Sequence, residues 1–237
     1  MQATLFVNDS PAQQREASLP YTPGLDGLRA IAIVAVLLYH AGLSVWGGFL
    51  GVEAFFVLSG YLITALLLAE WRERGTVSIG QFYLRRARRL LPALFLVIAA
   101  TLAFALIALP DEAAGLFDDA AAAAFYVMNW FFVFSQQSYF DPLARPSLLQ
   151  HLWSLAVEEQ FYLVWPVLFI VGMRFLGRRG LLVATLIGAG ASAWLMASLF
   201  QPDLDPSRVY YGTDTRAGGL LLGAAFALVW MPGQAPA

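Results

Sequence analysis

The sequence predicts an all-α protein, a polytopic bundle of about six transmembrane helices with one further segment that dips into the membrane. Two observations carry this prediction. Of the 237 residues, 59% are hydrophobic and only 13% are charged, whereas soluble domains carry roughly 25% charged residues. Several apolar stretches also approach the ~20 residues that a helix needs to cross the hydrocarbon layer of a bilayer.

The two ends of the chain are polar. Residues 1–24 contain three prolines and lack the basic-then-apolar order of a secretory signal, so we expect them to form a cytoplasmic tail. Residues 25–230 form the predicted membrane domain, and residues 231–237 form a second polar tail. The chain has no cysteine and a net charge of −2. This composition excludes disulfides and thiolate nucleophiles, and it gives no indication of a nucleic-acid partner.

The first three spans can be placed from hydropathy and charge. Two apolar stretches, 28–43 and 49–69, are separated by a glycine-rich turn. Six arginines then follow between Arg72 and Arg89. Such a cluster stays in the cytoplasm under the positive-inside rule, so the N-terminus is expected there too. The third span, 91–109, leads outward to an acidic stretch, PDEAAGLFDD, that we expect to be an outer loop.

The next apolar segment, 120–134, is short for a span and suits a re-entrant segment. Counting arginines does not decide whether it crosses, because the eight arginines through Arg89 are joined by three more in either topology. The compact GRRG cluster at 177–180 favours a segment that dips in and returns. The remaining spans are predicted at 152–171, 181–200 and 213–230.

The first span carries two ionisable residues on one face. Arg29 and His40 are eleven positions apart, which is about 20° past three full helical turns and roughly 16 Å along the axis. Ionisable groups within a span are costly and mark candidate functional sites. Arg29 is equally well explained as a side chain that extends to the membrane interface. An imidazole within lipid needs a partner and titrates near neutrality, so His40 is the stronger candidate.

Three carboxylates also lie within the predicted apolar spans, as Arg29 and His40 do. Glu53 lies near the start of the second span, at a depth similar to that of His40, where it could orient the imidazole. A further constellation, HLWSLAVEEQFYLVWP, places polar groups two turns into a span. Buried carboxylates must be paired or protonated, so at least one of its two glutamates is expected to be functional. The polar residues of this constellation are Ser154, Glu158, Glu159 and Tyr162.

The RRARR stretch is a topology signal and, in addition, a candidate anion site. Arginines three positions apart on a helix can fork onto phosphates. The pairs are Arg85 with Arg88 and Arg86 with Arg89. At the mouth of the last span, Asp214 and Arg216 are two further candidate charges, and a local ion pair between them is the alternative explanation.

Five stretches in order carry a resemblance to a known family. They are LDGLRAIAIVAVLLYHAG at 25–42, GGFLGVEAFFVLSGYLIT at 47–64, FYLRRARRLLPA at 82–93, HLWSLAVEEQFYLVWP at 151–166 and YYGTDTRAGGLLLG at 210–223. Together they resemble the acyltransferase-3 family of integral membrane acyltransferases, which includes O-acetyltransferases of bacterial surface polysaccharides and peptidoglycan. The resemblance implies that an acyl group, usually acetyl, moves from cytoplasmic acyl-CoA to a hydroxyl of an extracytoplasmic glycan at the bacterial inner membrane.

The resemblance also assigns roles to particular residues. His40 matches the essential catalytic histidine of the family, and Arg29 matches the basic residue that precedes it. The carboxylate of Glu53 stands where many members have aspartate. The cytoplasmic arginine motif corresponds to Arg85, Arg86, Arg88 and Arg89, and the paired glutamates correspond to Glu158 and Glu159.

These roles combine into one mechanistic hypothesis. The phosphates of acyl-CoA would bind Arg29 and the arginine motif, and the thioester would reach His40. His40 would act as general base on the acceptor hydroxyl, oriented by one of the three glutamates. Candidate groups for substrate binding and for the oxyanion are Tyr39, Ser154 and Tyr162. No metal is expected, and the acceptor is expected to be a glycan or a lipid-linked saccharide.

Two alternatives remain open at this stage. His40 and the glutamates could form the proton relay of a transporter. Family members also usually carry more spans than this chain, so we expect residues 25–230 to be an incomplete membrane domain, the N-terminal two-thirds of the unit. Such a chain would be an inactive fragment, or part of a split enzyme that needs further C-terminal helices or a partner chain.

Overall fold

The structure is a computed structural model that describes residues 23–43, 47–141, 143 and 145–231. The greater part of both predicted tails, residues 1–22 and 232–237, lies outside the described residues. Within the described ranges the regular elements are helices, which confirms the all-α prediction. They are α1 (Pro23–His40), α2 (Leu50–Arg74), α3 (Ile79–Ala108), α4 (Pro110–Ala124), α5 (Met128–Phe134), α6 (Leu152–Phe175), α7 (Gly177–Leu199), α8 (Ser207–Tyr211) and α9 (Thr213–Val229).

The predicted spans correspond to the long helices. Five of them, α1, α2, α3, α6 and α7, are long and apolar enough to cross a membrane. The last predicted span corresponds to α9, which has 17 residues. One end of the bundle holds the end of α1, and the other holds the junction of α2 with α3. We call them the His40 end and the arginine end.

Helices α4 and α5 form a hairpin that enters the bundle and returns. Helix α4 starts beside the end of α3, and the segment after α5 reaches His40 through Tyr139. The turn between α4 and α5 reaches the middle of α6, where Gln160 Nε2 donates to the carbonyl of Tyr126 at 2.7 Å. The preferred topology, in which this region dips in and returns, therefore agrees with the structure.

The expected outer loop at PDEAAGLFDD is wrong. These residues form most of α4, with Pro110 at its first position. Proline is favoured at the start of a helix because its missing N–H would have no partner there. The run of alanines at 120–124 then continues the helix, since alanine has the highest helix propensity.

Helix α9 packs between α2 and α7, and glycines allow its backbone to approach α2 closely. A Cβ atom added to Gly60 would overlap the carbonyl oxygen of Leu220. On the other helix, a Cβ at Gly223 would overlap the carbonyl oxygen of Val57. Small residues at such contacts are typical of helix pairs in membranes. This packing determines which α9 side chains face α2.

A buried amide network joins α5, α6 and α9. The side chain of Gln160 accepts hydrogen bonds from Trp130 Nε1 at 3.3 Å and Thr213 Oγ1 at 2.5 Å. Its amide nitrogen also donates to Asn129 Oδ1 at 2.9 Å. Because a fully satisfied polar network specifies one arrangement of its helices, we assign this network a structural role.

Candidate functional site

A cavity of about 490 Å³ opens between α1, α2, α3 and α6. Its charged lining comes from residues far apart in sequence: Arg29, Glu70, Arg74, Arg85, Arg86, Arg89, Glu158 and Glu159. We call it the arginine cavity. The structure thus brings Arg29, three arginines of the RRARR stretch and both paired glutamates to one place, as the hypothesis requires.

Helix geometry decides which arginines face this cavity. Arg85, Arg86 and Arg89 line it, whereas Arg88 is exposed and is not among the lining residues. Positions i and i+4 lie on the same face of a helix, so Arg85 and Arg89 point together. The structure therefore does not place Arg88 with the other three.

Arg86 is held within the wall of the cavity. Its Nη2 atom donates to Glu159 Oε1 at 2.6 Å, and its guanidinium carbon lies 3.6 Å from the centroid of the Tyr162 ring. The side chains of Arg86 and Glu159 are 27% and 13% exposed, so both charges are largely removed from water. This ion pair provides Glu159 with a hydrogen-bond donor. Arg29 and Arg89 remain on the cavity surface, and Arg29 forms no ion pair with any described residue.

The second glutamate has a different partner. Ser59 Oγ donates to Glu158 Oε1 at 3.0 Å, and both residues line the arginine cavity. Ser59 is not among the site residues predicted from the sequence, because a serine beside a glycine in a span is typical of helix packing. Only the packing of α6 against α2 places it opposite Glu158.

Glu70 closes the cavity at the arginine end. Its Oε1 atom accepts the backbone N–H of Ser78 at 2.9 Å and lies 3.6 Å from Arg74 Nη1. Its Oε2 atom lies 3.8 Å from Arg85 Nη2. Glu70 is likewise not among the site residues predicted from the sequence. A lone carboxylate at the end of a span and next to an arginine cluster is a signal that could have identified it.

His40 lies at the opposite end of α1 and is exposed. Its Nδ1 atom lies 2.8 Å from the carbonyl oxygen of Val36, and its Nε2 atom lies 3.0 Å from the hydroxyl of Tyr139. A carbonyl oxygen can only accept, so the neutral ring carries its proton on Nδ1. The lone pair of Nε2 then faces the Tyr139 hydroxyl, which is the arrangement that a general base requires.

The contacts expected between His40 and a glutamate are absent from the described part of the chain. Glu53 forms an ion pair with Arg216, Glu158 accepts from Ser59, and Glu159 pairs with Arg86. The prediction that one of these carboxylates orients the imidazole is therefore wrong for this structure. The physical reason is that each carboxylate has a closer hydrogen-bond donor on a neighbouring helix.

Tyr139 is fixed by an aromatic cluster at the His40 end. Its ring centroid lies 4.3 Å from that of Tyr210 and 6.4 Å from that of Trp153. Its backbone N–H donates to Ser207 Oγ at 2.8 Å. Burial raises the pKa of the Tyr210 hydroxyl, so this part of the cluster is uncharged at neutral pH. Sequence reasoning did not identify Tyr139, which lies in an irregular segment without a recognisable motif.

Asp214 and Arg216 do not form the local ion pair that the sequence left open as an alternative. Residues two positions apart on a helix point in nearly opposite directions, about 200° from each other. Asp214 instead accepts from both terminal nitrogens of Arg208, at 3.0 Å and 2.7 Å. Arg216 points to α2, where it meets Glu53.

The remaining candidate residues divide between the two ends. Tyr162 lines the arginine cavity. The ring of Tyr39 packs edge-on against His40, with centroids 5.5 Å apart. Ser154 donates to the carbonyl of His151 at 3.3 Å. It neither lines the arginine cavity nor contacts His40. No group of three potential metal ligands occurs among the residues that the structure describes.

The arginine cavity extends toward His40 without including it. Its lining at that side is apolar and comprises Ile33, Phe55 and Leu155. Ile33 precedes His40 by seven residues on α1, which is about 10 Å along the helix axis. Arg29, Ile33 and His40 therefore lie on the same face of α1, and the part of the cavity nearer to His40 is apolar.

Comparison with known proteins adds to this geometry. A family model described as an acyltransferase domain matches residues 22–232. The chain is 49% identical over 216 residues to peptidoglycan O-acetyltransferase OatA of Listeria monocytogenes, a match that covers 90% of this chain and 35% of that protein. It is 47% identical over 213 residues to the putative peptidoglycan O-acetyltransferase YrhL of Bacillus subtilis, covering 89% of this chain and 33% of the relative.

A third relative, O-acetyltransferase OatA of Staphylococcus aureus, is 43% identical over 214 residues, covering 90% of this chain and 35% of the relative. The chain thus spans about a third of the length of the curated relatives it matches. No solved structure matches the chain.

Proposed function

Because the chain belongs to the acyltransferase-3 family, we propose that it forms the membrane part of an O-acyltransferase that uses cytoplasmic acyl-CoA and a glycan hydroxyl. The relatives are named as O-acetyltransferases, and two of them as acting on peptidoglycan. Acetyl is therefore the acyl group that we propose, and an extracytoplasmic saccharide is the acceptor.

The observation that carries this proposal is the arginine cavity. Its phosphate-binding groups are Arg29, Arg85 and Arg89, which project from two helices toward a common space. Guanidinium groups recognise phosphate oxygens through pairs of parallel hydrogen bonds, so this space suits the diphosphate of an acyl-CoA. The apolar side of the cavity, toward Ile33 and Phe55, suits the uncharged arm that ends in the thioester.

The distribution of arginines supports the orientation of the chain. Ten of the thirteen arginines in the described ranges lie at the arginine end, and three lie at the His40 end. Under the positive-inside rule the arginine end is cytoplasmic. With this orientation the N-terminus is cytoplasmic, the donor enters from the cytoplasm, and His40 lies toward the outer face of the inner membrane.

We assign His40 the role of general base. The acceptor hydroxyl replaces the Tyr139 hydroxyl at Nε2 and transfers its proton there as its oxygen attacks the thioester carbonyl carbon. The new C–O bond forms, the C–S bond breaks, and the proton passes from Nε2 to the departing thiolate. Between reactions, Tyr139 keeps Nε2 directed toward the position where the acceptor binds.

The experiment that tests this function uses membranes that contain the full-length protein, labelled acetyl-CoA and a cell-wall glycan extract. We expect covalent label on the glycan with the wild type and none with His40→Ala at an equal protein level. Wild-type labelling by His40→Ala would overturn the role of this residue. Absence of glycan label from the wild type, in membranes where the protein is correctly inserted, would overturn the acyltransferase.

The structure does not favour the transporter alternative. A proton relay requires titratable groups within hydrogen-bond reach of each other. In the described part of the chain, His40 contacts Tyr139 and its own backbone, while the glutamates pair with arginines or serine. Proton-coupled uptake of a solute without covalent labelling of glycan would nevertheless identify a transporter in the same experiment.

A further inference from the structure

A second cavity, of about 710 Å³, lies at the His40 end between α3, α4 and the segment that joins α5 to α6. We call it the second cavity. Polar and apolar surfaces contribute about equally to its lining. The polar part includes the carboxylates of Asp111, Asp119 and Asp141, the amides of Gln136 and Gln137, and the guanidinium of Arg145. A cavity of this size accommodates a ligand of several rings.

Part of the wall of the second cavity is formed by the residues that directly precede Tyr139. Gln136, Gln137 and Ser138 line the cavity and directly precede Tyr139, whose hydroxyl lies 3.0 Å from His40 Nε2. Ser138 Oγ accepts the backbone N–H of Asp141 at 3.0 Å, so a defined turn holds these residues around Tyr139. The second cavity is therefore lined by the residues next in sequence to the one that contacts the imidazole.

We infer that the second cavity binds the acceptor as an uncharged, hydroxyl-rich saccharide chain. This inference rests on the proposed function, because it assigns the site from which the acceptor hydroxyl reaches His40. Sugar hydroxyls both donate and accept hydrogen bonds, and a lining of amides and carboxylates offers partners for both. The side-chain amides of Gln136 and Gln137 form no hydrogen bond within the described chain, so they are available to a ligand.

The charge of the lining narrows the class of saccharide. Three carboxylates and one guanidinium give an excess of negative charge, which repels phosphate, sulfate and uronate groups. Asp119 is buried, and its carboxylate accepts a hydrogen bond from Ser147, so part of this lining is fixed before a ligand arrives. An uncharged saccharide is compatible with this arrangement, whereas a polyanionic glycan is not.

Gln136 offers a test that separates binding from folding. Its φ angle is +55°, in the left-handed region that favours glycine. Its backbone N–H donates to the carbonyl of Val133 at 3.3 Å, and that of Gln137 donates to Phe132 at 3.0 Å, which is the usual capping pattern at the end of a helix. Gln136→Gly therefore removes an amide from the second cavity while relieving the backbone, so the fold is retained.

The experiment measures binding of an N-acetylglucosamine tetramer to the purified full-length protein in lipid nanodiscs by isothermal titration calorimetry. We expect Gln136→Gly to raise the Kd about tenfold, as expected for one lost hydrogen bond, with an unchanged or higher unfolding temperature. Gln137→Ala is a second variant with the same expectation. Gln201→Gly is the control, because this exposed glutamine is outside the lining of the second cavity.

Two results would overturn the inference: an unchanged Kd in both cavity variants, or tighter binding of a sulfated tetramer than of the uncharged one. Failure here is distinguishable from failure of the proposed function. If His40→Ala abolishes glycan labelling while both cavity variants leave saccharide binding intact, the acyltransferase stands and this site does not. If saccharide binding requires Gln136 but no label reaches glycan, the site stands and the acyltransferase does not.

Discussion

The hydroxyl of Tyr139 lies 3.0 Å from Nε2 of His40, although the two residues are 99 positions apart in sequence. The backbone carbonyl of Val36 binds the other ring nitrogen, at 2.8 Å. The imidazole is thus held from both sides, by its own helix and by the segment that follows the α4–α5 hairpin. The two contacts leave a single nitrogen able to accept a proton, and that nitrogen faces the segment that lines the second cavity.

Replacing Tyr139 by phenylalanine removes one of these contacts and keeps the ring that packs on Tyr210. We expect the rate of acyl transfer to fall roughly tenfold, because without this hydroxyl the imidazole is less often turned toward the position where the acceptor binds, while the protein level is unchanged. The measurement is the initial rate of glycan labelling from acetyl-CoA in membranes. The control is Tyr126→Phe, because the hydroxyl of Tyr126 forms no hydrogen bond within the described residues. Equal rates for Tyr139→Phe and the wild type would show that His40 does not need this contact.

The lining of the arginine cavity predicts which arginine side chains bind the acyl-CoA donor. Double substitution of Arg85 and Arg89 by alanine is expected to weaken CoA binding by at least about tenfold, because each guanidinium that contacts a phosphate contributes a charge-assisted hydrogen bond. The measurement is calorimetric titration of CoA into the protein in nanodiscs.

The matched control for this prediction is the double substitution Arg174→Ala and Arg179→Ala. It removes the same charge from the arginine end but from exposed positions outside the cavity. CoA affinity should stay within about twofold of the wild type. An equal loss of affinity in both double variants would show that net charge, and not the cavity, attracts the donor.

The close approach of α2 and α9 predicts that alanine substitutions at two different glycines have very different effects on the stability of the protein. Gly60→Ala would place a Cβ on the carbonyl oxygen of Leu220, so the helices must separate. We expect a loss of about 2 kcal/mol or more in the free energy of unfolding. Gly190→Ala on α7 meets nothing within 4 Å and should be neutral or stabilising by up to about 1 kcal/mol.

Thermal unfolding in detergent, followed by tryptophan fluorescence, measures this difference. The two variants receive the same added methyl group, so helix propensity alone would shift both unfolding temperatures upward. A Gly60→Ala protein as stable as Gly190→Ala would contradict the packing of α9 on α2.

Asp119 predicts a pH dependence of stability. Burial raises the pKa of its carboxyl, and the neighbouring Asp118 carboxylate raises it further by a smaller amount. The hydrogen bond from Ser147 lowers this pKa, but burial has the larger effect. The folded protein therefore holds this proton more tightly than the unfolded chain does. The contribution of Asp119 to the free energy of unfolding is therefore fully present below the pKa of the unfolded chain, about 3.9. It is lost as the pH rises through the pKa of the folded protein.

A side-chain amide at this position cannot ionise, so we expect Asp119→Asn to gain stability relative to the wild type as the pH rises from about 4 to 7. The unfolding temperature, measured across this range, checks the prediction. Asp203→Asn is the control, since the side chain of Asp203 is exposed and its carboxylate does not contribute to the pKa shift of Asp119. A stability difference between Asp119→Asn and the wild type that does not change with pH would contradict the direction of the pKa shift.

Much of the architecture could be predicted because its signals are local. Runs of apolar residues mark the long helices, and the RRARR stretch marks the arginine end. Helix periodicity places Arg29 and His40 on one face of α1 without knowledge of any other helix. The prediction for the stretch at 110–119 failed because its four carboxylates resemble a loop, whereas proline at the first position and the alanines that follow favour α4.

The partners of the ionisable groups depend on the tertiary structure instead. Glu53 and Arg216 are 163 residues apart, and their contact follows from the glycines that bring α9 against α2. Tyr139 reaches His40 only because the α4–α5 hairpin turns back inside the bundle. Residue type and spacing indicate that a charge within a membrane needs a partner, but helix packing and chain direction decide which of several candidates lies within hydrogen-bond distance.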